Sequence, residues 1–117
     1  MMNSPVQITL RGMTRSEALE LRVRRAVGKL GRLYSGIVAC RVLVEAPHRN
    51  QRQGRQFVVH LDLKMPGDEI VINRDHREDV YVALRDAFDA ARRQLADYVQ
   101  RRRREAGAQR LVAIAEE

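Results

Sequence analysis

Cysteine, aromatic residues and long apolar runs are scarce in this sequence of 117 residues, and each scarcity excludes a class of protein. The single cysteine, Cys40, cannot form an internal disulfide bond, so we expect a protein of the reducing cytoplasm rather than a secreted disulfide scaffold. Residues 1–12 contain no charged start followed by a long apolar run, so we expect neither a signal peptide nor a membrane span.

Motifs for catalysis or metal binding are also missing from the sequence. The three histidines, His48, His60 and His76, lie far apart, and no cysteine or second histidine stands near them at ligand spacing. The chain has no G-x-S-x-G, P-loop or G-x-G-x-x-G motif, and no group is evident that would activate Cys40. We therefore expect no metal, no cofactor, no small-molecule substrate and no enzymatic activity.

Positive charge is abundant, and almost all of it is arginine. The 22 Lys and Arg exceed the 15 Asp and Glu, which gives a net charge of +7 and favours a polyanionic partner, either nucleic acid or an anionic membrane. Guanidinium groups bind phosphate in a bidentate manner and stack on bases, so the arginines favour RNA. Because Phe57 and Phe88 are needed in the core, we expect contacts to phosphates and to RNA shape without an aromatic stacking platform.

Alternation of apolar and polar residues predicts four strands, since successive side chains of a strand point to opposite faces. The last of them is a short strand over residues 69–73, which follows a tight turn at Pro66-Gly67. Residues 47–54 lack any periodicity and predict a hairpin connection. The residues expected to face the core are Val6, Ile8, Leu10, Val38, Cys40, Val42, Val44, Phe57, Val59, Leu61, Leu63, Ile70 and Ile72.

Two helices follow from capping boxes and from apolar residues spaced by three and four positions. Thr14 with Glu17 predicts the start of the first helix, and Asp75 with Glu78 predicts the start of the second. The apolar stripes are Leu19, Val23, Ala26, Val27, Leu30, Leu33 and Tyr34, and then Val80, Leu84, Ala87, Phe88, Ala91, Leu95 and Val99. The prediction is one α+β domain over residues 1–104, with order β-α-β-β-β-α, two helices on one face of a four-stranded sheet, parallel first strands and a flexible tail over residues 105–117.

Basic side chains recur in register beside both apolar stripes, which predicts two basic stripes on the helical face. Long basic side chains can also shield the rim of a core while their charged ends stay in water, so each stripe alone has a second interpretation. The predicted RNA-binding residues are Arg22, Arg25, Lys29 and Arg32 of the first helix, Arg85, Arg92 and Arg93 of the second helix, and Arg49 and Arg52 of the hairpin connection.

Several short motifs resemble those of the ribosome hibernation-promoting factors, also called ribosome-associated inhibitors or sigma-54 modulation proteins. The resemblance covers about residues 5–100. Its motifs are Lys29-Leu30, Pro66-Gly67-Asp68-Glu69, Asp79-Val80-Tyr81-Val82-Ala83-Leu84 and Arg93-Gln94-Leu95. The last two form the pattern of the second helix, which is the most specific part of the resemblance.

The resemblance implies a translation inhibitor of resting cells that binds rRNA in the mRNA and tRNA channel of the small ribosomal subunit. It acts by occupancy, through basic residues of both helices; Lys29 and Arg93 match basic positions of the family. A C-terminal dimerisation domain is absent from the 117 residues, so we expect a short form that is monomeric off the ribosome.

The resemblance is incomplete, and two other functions stay open. Ala90, Ala96, Asp97 and Val99 stand where family members usually carry Lys or Arg. We expect either a basic contact shifted toward Arg92, Arg93 and residues 101–104 or a lower affinity. One alternative is a regulator that binds an acidic protein partner, as the sigma-54 name suggests. The other is a general binder of structured RNA.

Overall fold

The computed structural model describes residues 5–46, 56–77 and 79–116, which form four strands and two helices. The predicted hairpin connection and its Arg49 and Arg52 lie outside the described residues. In chain order the elements are β1 (Val6–Arg11), α1 (Glu17–Leu33), β2 (Ala39–Glu45), β3 (Gln56–Met65), β4 (Asp68–Arg77) and α2 (Val80–Glu116). The predicted order β-α-β-β-β-α is confirmed.

The strands form one mixed sheet in the order β1-β2-β3-β4. β1 pairs with β2 in parallel, as the crossover through α1 predicts, and the two remaining pairs are antiparallel. The register places Ile8, Val42, Leu61 and Ile72 in one row across the sheet. Because side chains alternate along each strand, this row and the rows two residues away share a single face.

That face carries the hydrophobic core, and both helices contribute to it. Val23 of α1, Val44 and Val59 of the sheet, and Leu95 of α2 are completely buried. Val6, Ile8 and Leu10 of the edge strand β1 are partly buried and pack against the same cluster. The other face bears Arg41, Asp62 and their neighbours, so the helices form one layer and the sheet the other, as predicted.

The first helix begins two residues later than the capping box predicted. Ser16 is the N-cap, and its Oγ accepts a hydrogen bond of 3.2 Å from the backbone N–H of Leu19. Glu17 is already the first helical residue, so the predicted box of Thr14 with Glu17 is wrong. Serine is as good a cap as threonine. A helix that begins after Ser16 also has Glu17 and Glu20 in its first turn, where their carboxylates complement the positive end of the helix dipole.

The second helix begins at Val80, where the cap is Asp79 rather than the predicted Asp75. The Asp79 Oδ1 accepts hydrogen bonds from the N–H groups of Tyr81 at 2.9 Å and Val82 at 3.4 Å. Asp75 lies in β4, paired with Val58, because β3 is long enough to pair with a strand of ten residues. The prediction of a short strand over residues 69–73 is therefore wrong. The predicted capping box of Asp75 with Glu78 at the start of the second helix is wrong as well.

Two side chains that were expected in the core are exposed. Val38 is 53% exposed and precedes the first paired residue of β2, so the alternation that buries Cys40, Val42 and Val44 does not apply to it. Leu33 ends α1 and is 41% exposed. Ile37 is buried instead, although the alternation of the sequence placed it on the opposite face from Val38.

The second helix continues far beyond its buried part. Tyr98 is the last buried residue among those up to residue 108, where the description of side chains ends. Its hydroxyl donates a 3.0 Å hydrogen bond to the Pro66 carbonyl, and its ring packs edge-on against Tyr34. All side chains of residues 101–108 are exposed, and the backbone is helical to Glu116. Residues 105–116 thus extend the helix, while the flexibility expected for this tail stays a prediction.

Candidate nucleic-acid interface

A groove of about 1090 Å³ runs between α1 and α2 on the helical side of the molecule. Its floor is apolar and includes Leu30, Leu84 and Phe88. The basic stripes form its walls, because each lies immediately beside the apolar stripe that packs its helix onto the sheet. Six of the nine predicted RNA-binding residues line this groove: Arg22, Arg25, Lys29, Arg32, Arg85 and Arg92.

The basic wall from α1 has little compensating charge. Within the part of the chain that the structure describes, no carboxylate lies at salt-bridge distance from Arg25, Lys29 or Arg32. Arg85 has a 3.7 Å contact with Asp86, and Asp89 adds one carboxylate to the groove. The groove therefore presents a concentrated positive field to a polyanion.

Tyr81 lies in the first turn of α2 and also lines the groove, where its side chain is 38% exposed. The Arg22 guanidinium carbon lies 5.2 Å from the centroid of the Tyr81 ring, a cation–π contact between the two helices. Tyr81 belongs to a motif of the family resemblance but was not predicted from the sequence as a site residue. Its position one turn before Arg85, at the start of the basic stripe, could have indicated it.

The remaining predicted residues fall outside the groove. Arg93 is exposed on α2 but is not one of the lining residues, and Arg49 and Arg52 lie outside the described residues. In the arginine run that follows, Arg101 contacts Asp68 at 3.7 Å and Arg102 lies 5.7 Å from the Tyr98 ring centroid. The base of the exposed part of α2 is thus held against the turn between β3 and β4.

Among the described residues no group of His, Cys, Asp and Glu could hold a metal ion, and no helix is long and apolar enough to cross a membrane. His60 lies on the open face of the sheet, where its Nδ1 hydrogen-bonds the Asn73 side chain. Cys40 is buried, as expected, which favours a structural thiol over a reactive one.

The Cys40 thiol should reveal its burial through pH. Burial, and secondarily the negative charge of Asp62, raise its pKa from 9.0 to about 12. The unfolded chain then releases this proton at lower pH than the folded protein, so the stabilisation is complete below pH 9.0 and is lost as pH rises toward 12. We expect the difference in unfolding free energy between wild type and Cys40→Ala to shrink by about 1.4 kcal/mol between pH 7 and pH 10. A pH-independent difference in denaturant titrations would contradict a buried, protonated thiol.

Solved structures of other proteins share this fold. A ribosomal subunit interface protein from Coxiella burnetii superposes with a TM-score of 0.69 at 19% identity, covering 82% of this chain and 98% of that one. The N-terminal domain of Protein Y from Thermus thermophilus gives a TM-score of 0.67 at 17% identity, covering 84% and 99%. At such low identity these similarities establish the fold.

No curated protein is significantly similar to the chain in sequence. A family model is nevertheless matched over residues 6–103, which include the four described strands, the whole of α1, and α2 as far as Arg103. The match thus contains the groove and all six of its basic residues, and the chain belongs to the family of sigma 54 modulation proteins and S30EA ribosomal proteins.

Proposed function

We propose that this protein binds rRNA of the small ribosomal subunit in the channel for mRNA and tRNA, and that it inhibits translation by occupying this channel. The observation that carries the proposal is the groove between α1 and α2, whose walls bring together six basic side chains. The Coxiella burnetii protein of the same fold is a ribosomal subunit interface protein, which supports a ribosomal partner. The inhibition needs no bond making or breaking.

The chemistry of the groove suits an RNA backbone. Five of its six basic residues are arginines, whose planar guanidinium groups can bind phosphate oxygens through two parallel hydrogen bonds. The apolar floor between the walls can pack against ribose, while Arg25 and Lys29 on one side and Arg92 on the other reach phosphates. An α-helical groove of this kind recognises the backbone and the shape of folded RNA rather than a base sequence.

Sedimentation tests the proposed partner. When the purified protein is mixed with separated ribosomal subunits and centrifuged through a sucrose gradient, we expect it to sediment with the small subunit. Sedimentation with neither subunit would contradict the proposal. Equal binding to both subunits and to unrelated folded RNA would instead favour the general RNA binder.

Salt should weaken this binding steeply. Phosphate contacts release counterions, so the logarithm of the association constant should fall linearly with the logarithm of salt concentration. With on the order of five to eight contacts, affinity for the small subunit should drop by at least about a hundredfold between roughly 50 and 200 mM monovalent salt. A flat response in filter-binding titrations would mean that phosphate contacts do not dominate the binding, and it would instead favour a protein partner.

A further inference from the structure

The groove contains an aromatic group that phosphate binding does not require. Tyr81 is partly exposed beside the basic walls, and the Arg22 guanidinium covers its ring at 5.2 Å. No hydrogen bond of the Tyr81 hydroxyl is found within the described residues, so the side chain is not held there by its polar end. The pair of Arg22 and Tyr81 therefore joins the basic wall of α1 to the first turn of α2.

An exposed arginine on an aromatic ring is a surface on which a nucleobase can stack. Unpaired bases of RNA pack on aromatic rings and on guanidinium planes, and the ring below Arg22 restricts the motion of its side chain. Arg22 is exposed, so the guanidinium remains accessible to a ligand in the groove. The neighbouring Arg25 and Lys29 would hold the phosphates that flank such a base.

We propose that Arg22 and Tyr81 form a stacking site for one unpaired base of the bound RNA, at the end of the groove where α2 begins. This inference rests on the proposed RNA-binding function and adds a specificity that the phosphate contacts lack. The protein then distinguishes RNA with an extruded base from a perfect duplex, because only an unstacked base offers a free ring face.

Substitutions that keep the charge isolate the stacking contribution. Tyr81→Phe retains the ring, Tyr81→Leu removes it, and Arg22→Lys retains the charge without the guanidinium plane. The Asp79 cap is unaffected, because it accepts from the backbone N–H of Tyr81. Leucine is also a good helix former, so each variant should keep the fold.

Affinity for the small ribosomal subunit is measured at several salt concentrations. We expect Tyr81→Leu and Arg22→Lys each to weaken binding about tenfold with an unchanged salt slope, while Tyr81→Phe binds like wild type. With RNA duplexes of about 20 base pairs, wild type should prefer the one with a single unpaired adenine, and Tyr81→Leu should lose this preference.

Three results would overturn the inference. Tyr81→Leu would bind like wild type but melt at a lower temperature if the pair only ties α1 to α2. A changed salt slope for Tyr81→Leu would indicate a lost phosphate contact instead of a lost stack. Equal wild-type affinity for the perfect and the bulged duplex would exclude base recognition.

In each of these cases the proposed function would still stand if reversing Arg25 and Lys29 abolished binding to the small ribosomal subunit. Failure of the wild-type protein to bind the subunit would contradict the proposed function itself.

Discussion

Arg25→Glu combined with Lys29→Glu should reduce affinity for the small ribosomal subunit by at least about a thousandfold, which is effectively a loss of binding. Both side chains stand in the α1 wall of the groove without a carboxylate partner among the described residues. Reversal changes the local charge by four units, so it removes two phosphate contacts and adds two repulsive ones. Both positions are exposed, and such substitutions usually change stability little.

Arg24→Glu is the control that matches the single reversal Arg25→Glu, because each changes the net charge by two units. Arg24 is exposed on the same helix but does not line the groove. It is followed by the groove residue Arg25, about 100° further round the helix. We expect this variant to bind with only slightly reduced affinity in the same filter-binding titration. If Arg24→Glu weakened binding as much as Arg25→Glu alone, net charge rather than the groove would determine binding.

On the α2 wall of the groove, Arg85→Glu combined with Arg92→Glu should also reduce affinity for the small ribosomal subunit by at least about a thousandfold.

Leu95→Asp should unfold the domain or reduce its unfolding free energy by at least about 4 kcal/mol. Leu95 is completely buried between α2 and the sheet, and the described residues include no buried polar or charged side chain that could pair with a carboxylate there. A loss of this size approaches the total stability of a small domain, which is about 5–15 kcal/mol. Chemical denaturation followed by circular dichroism measures the change.

Gln94→Asp provides the control for Leu95→Asp. Gln94 is the neighbouring residue and is exposed, so the same new charge remains in water. We expect a change within about 0.5 kcal/mol for this variant. If Leu95→Asp had the same unfolding free energy as wild type, the face of α2 that packs on the sheet would be assigned incorrectly.

The spacing of apolar residues predicted the core well, because the folded chain must bury these residues wherever its turns begin and end. The row of Val42, Leu61 and Ile72, and the buried Leu84 and Leu95 of α2, follow directly from spacings of two, three and four residues. The same spacing brought six basic residues into one groove, since it also fixes what lies beside an apolar stripe.

Element boundaries were harder to predict, because several residues compete for the same local role. Thr14 and Ser16 can both cap α1, and Asp75 and Asp79 can both cap α2. Strand pairing decides the second case, since Asp75 is opposite Val58 in the sheet. The contact of Arg22 with Tyr81 joins residues of different helices, and only the packing of α1 beside α2 reveals it.

Competition on the small ribosomal subunit tests the central claim most directly. Increasing amounts of the protein are added to small subunits that carry labelled mRNA and initiator tRNA, and the release of each label is compared with inhibition of a purified translation reaction. We predict that wild type releases both ligands over the concentration range in which it inhibits, and that Arg25→Glu with Lys29→Glu does neither. Binding of wild type with both ligands still in place would contradict the occupancy mechanism.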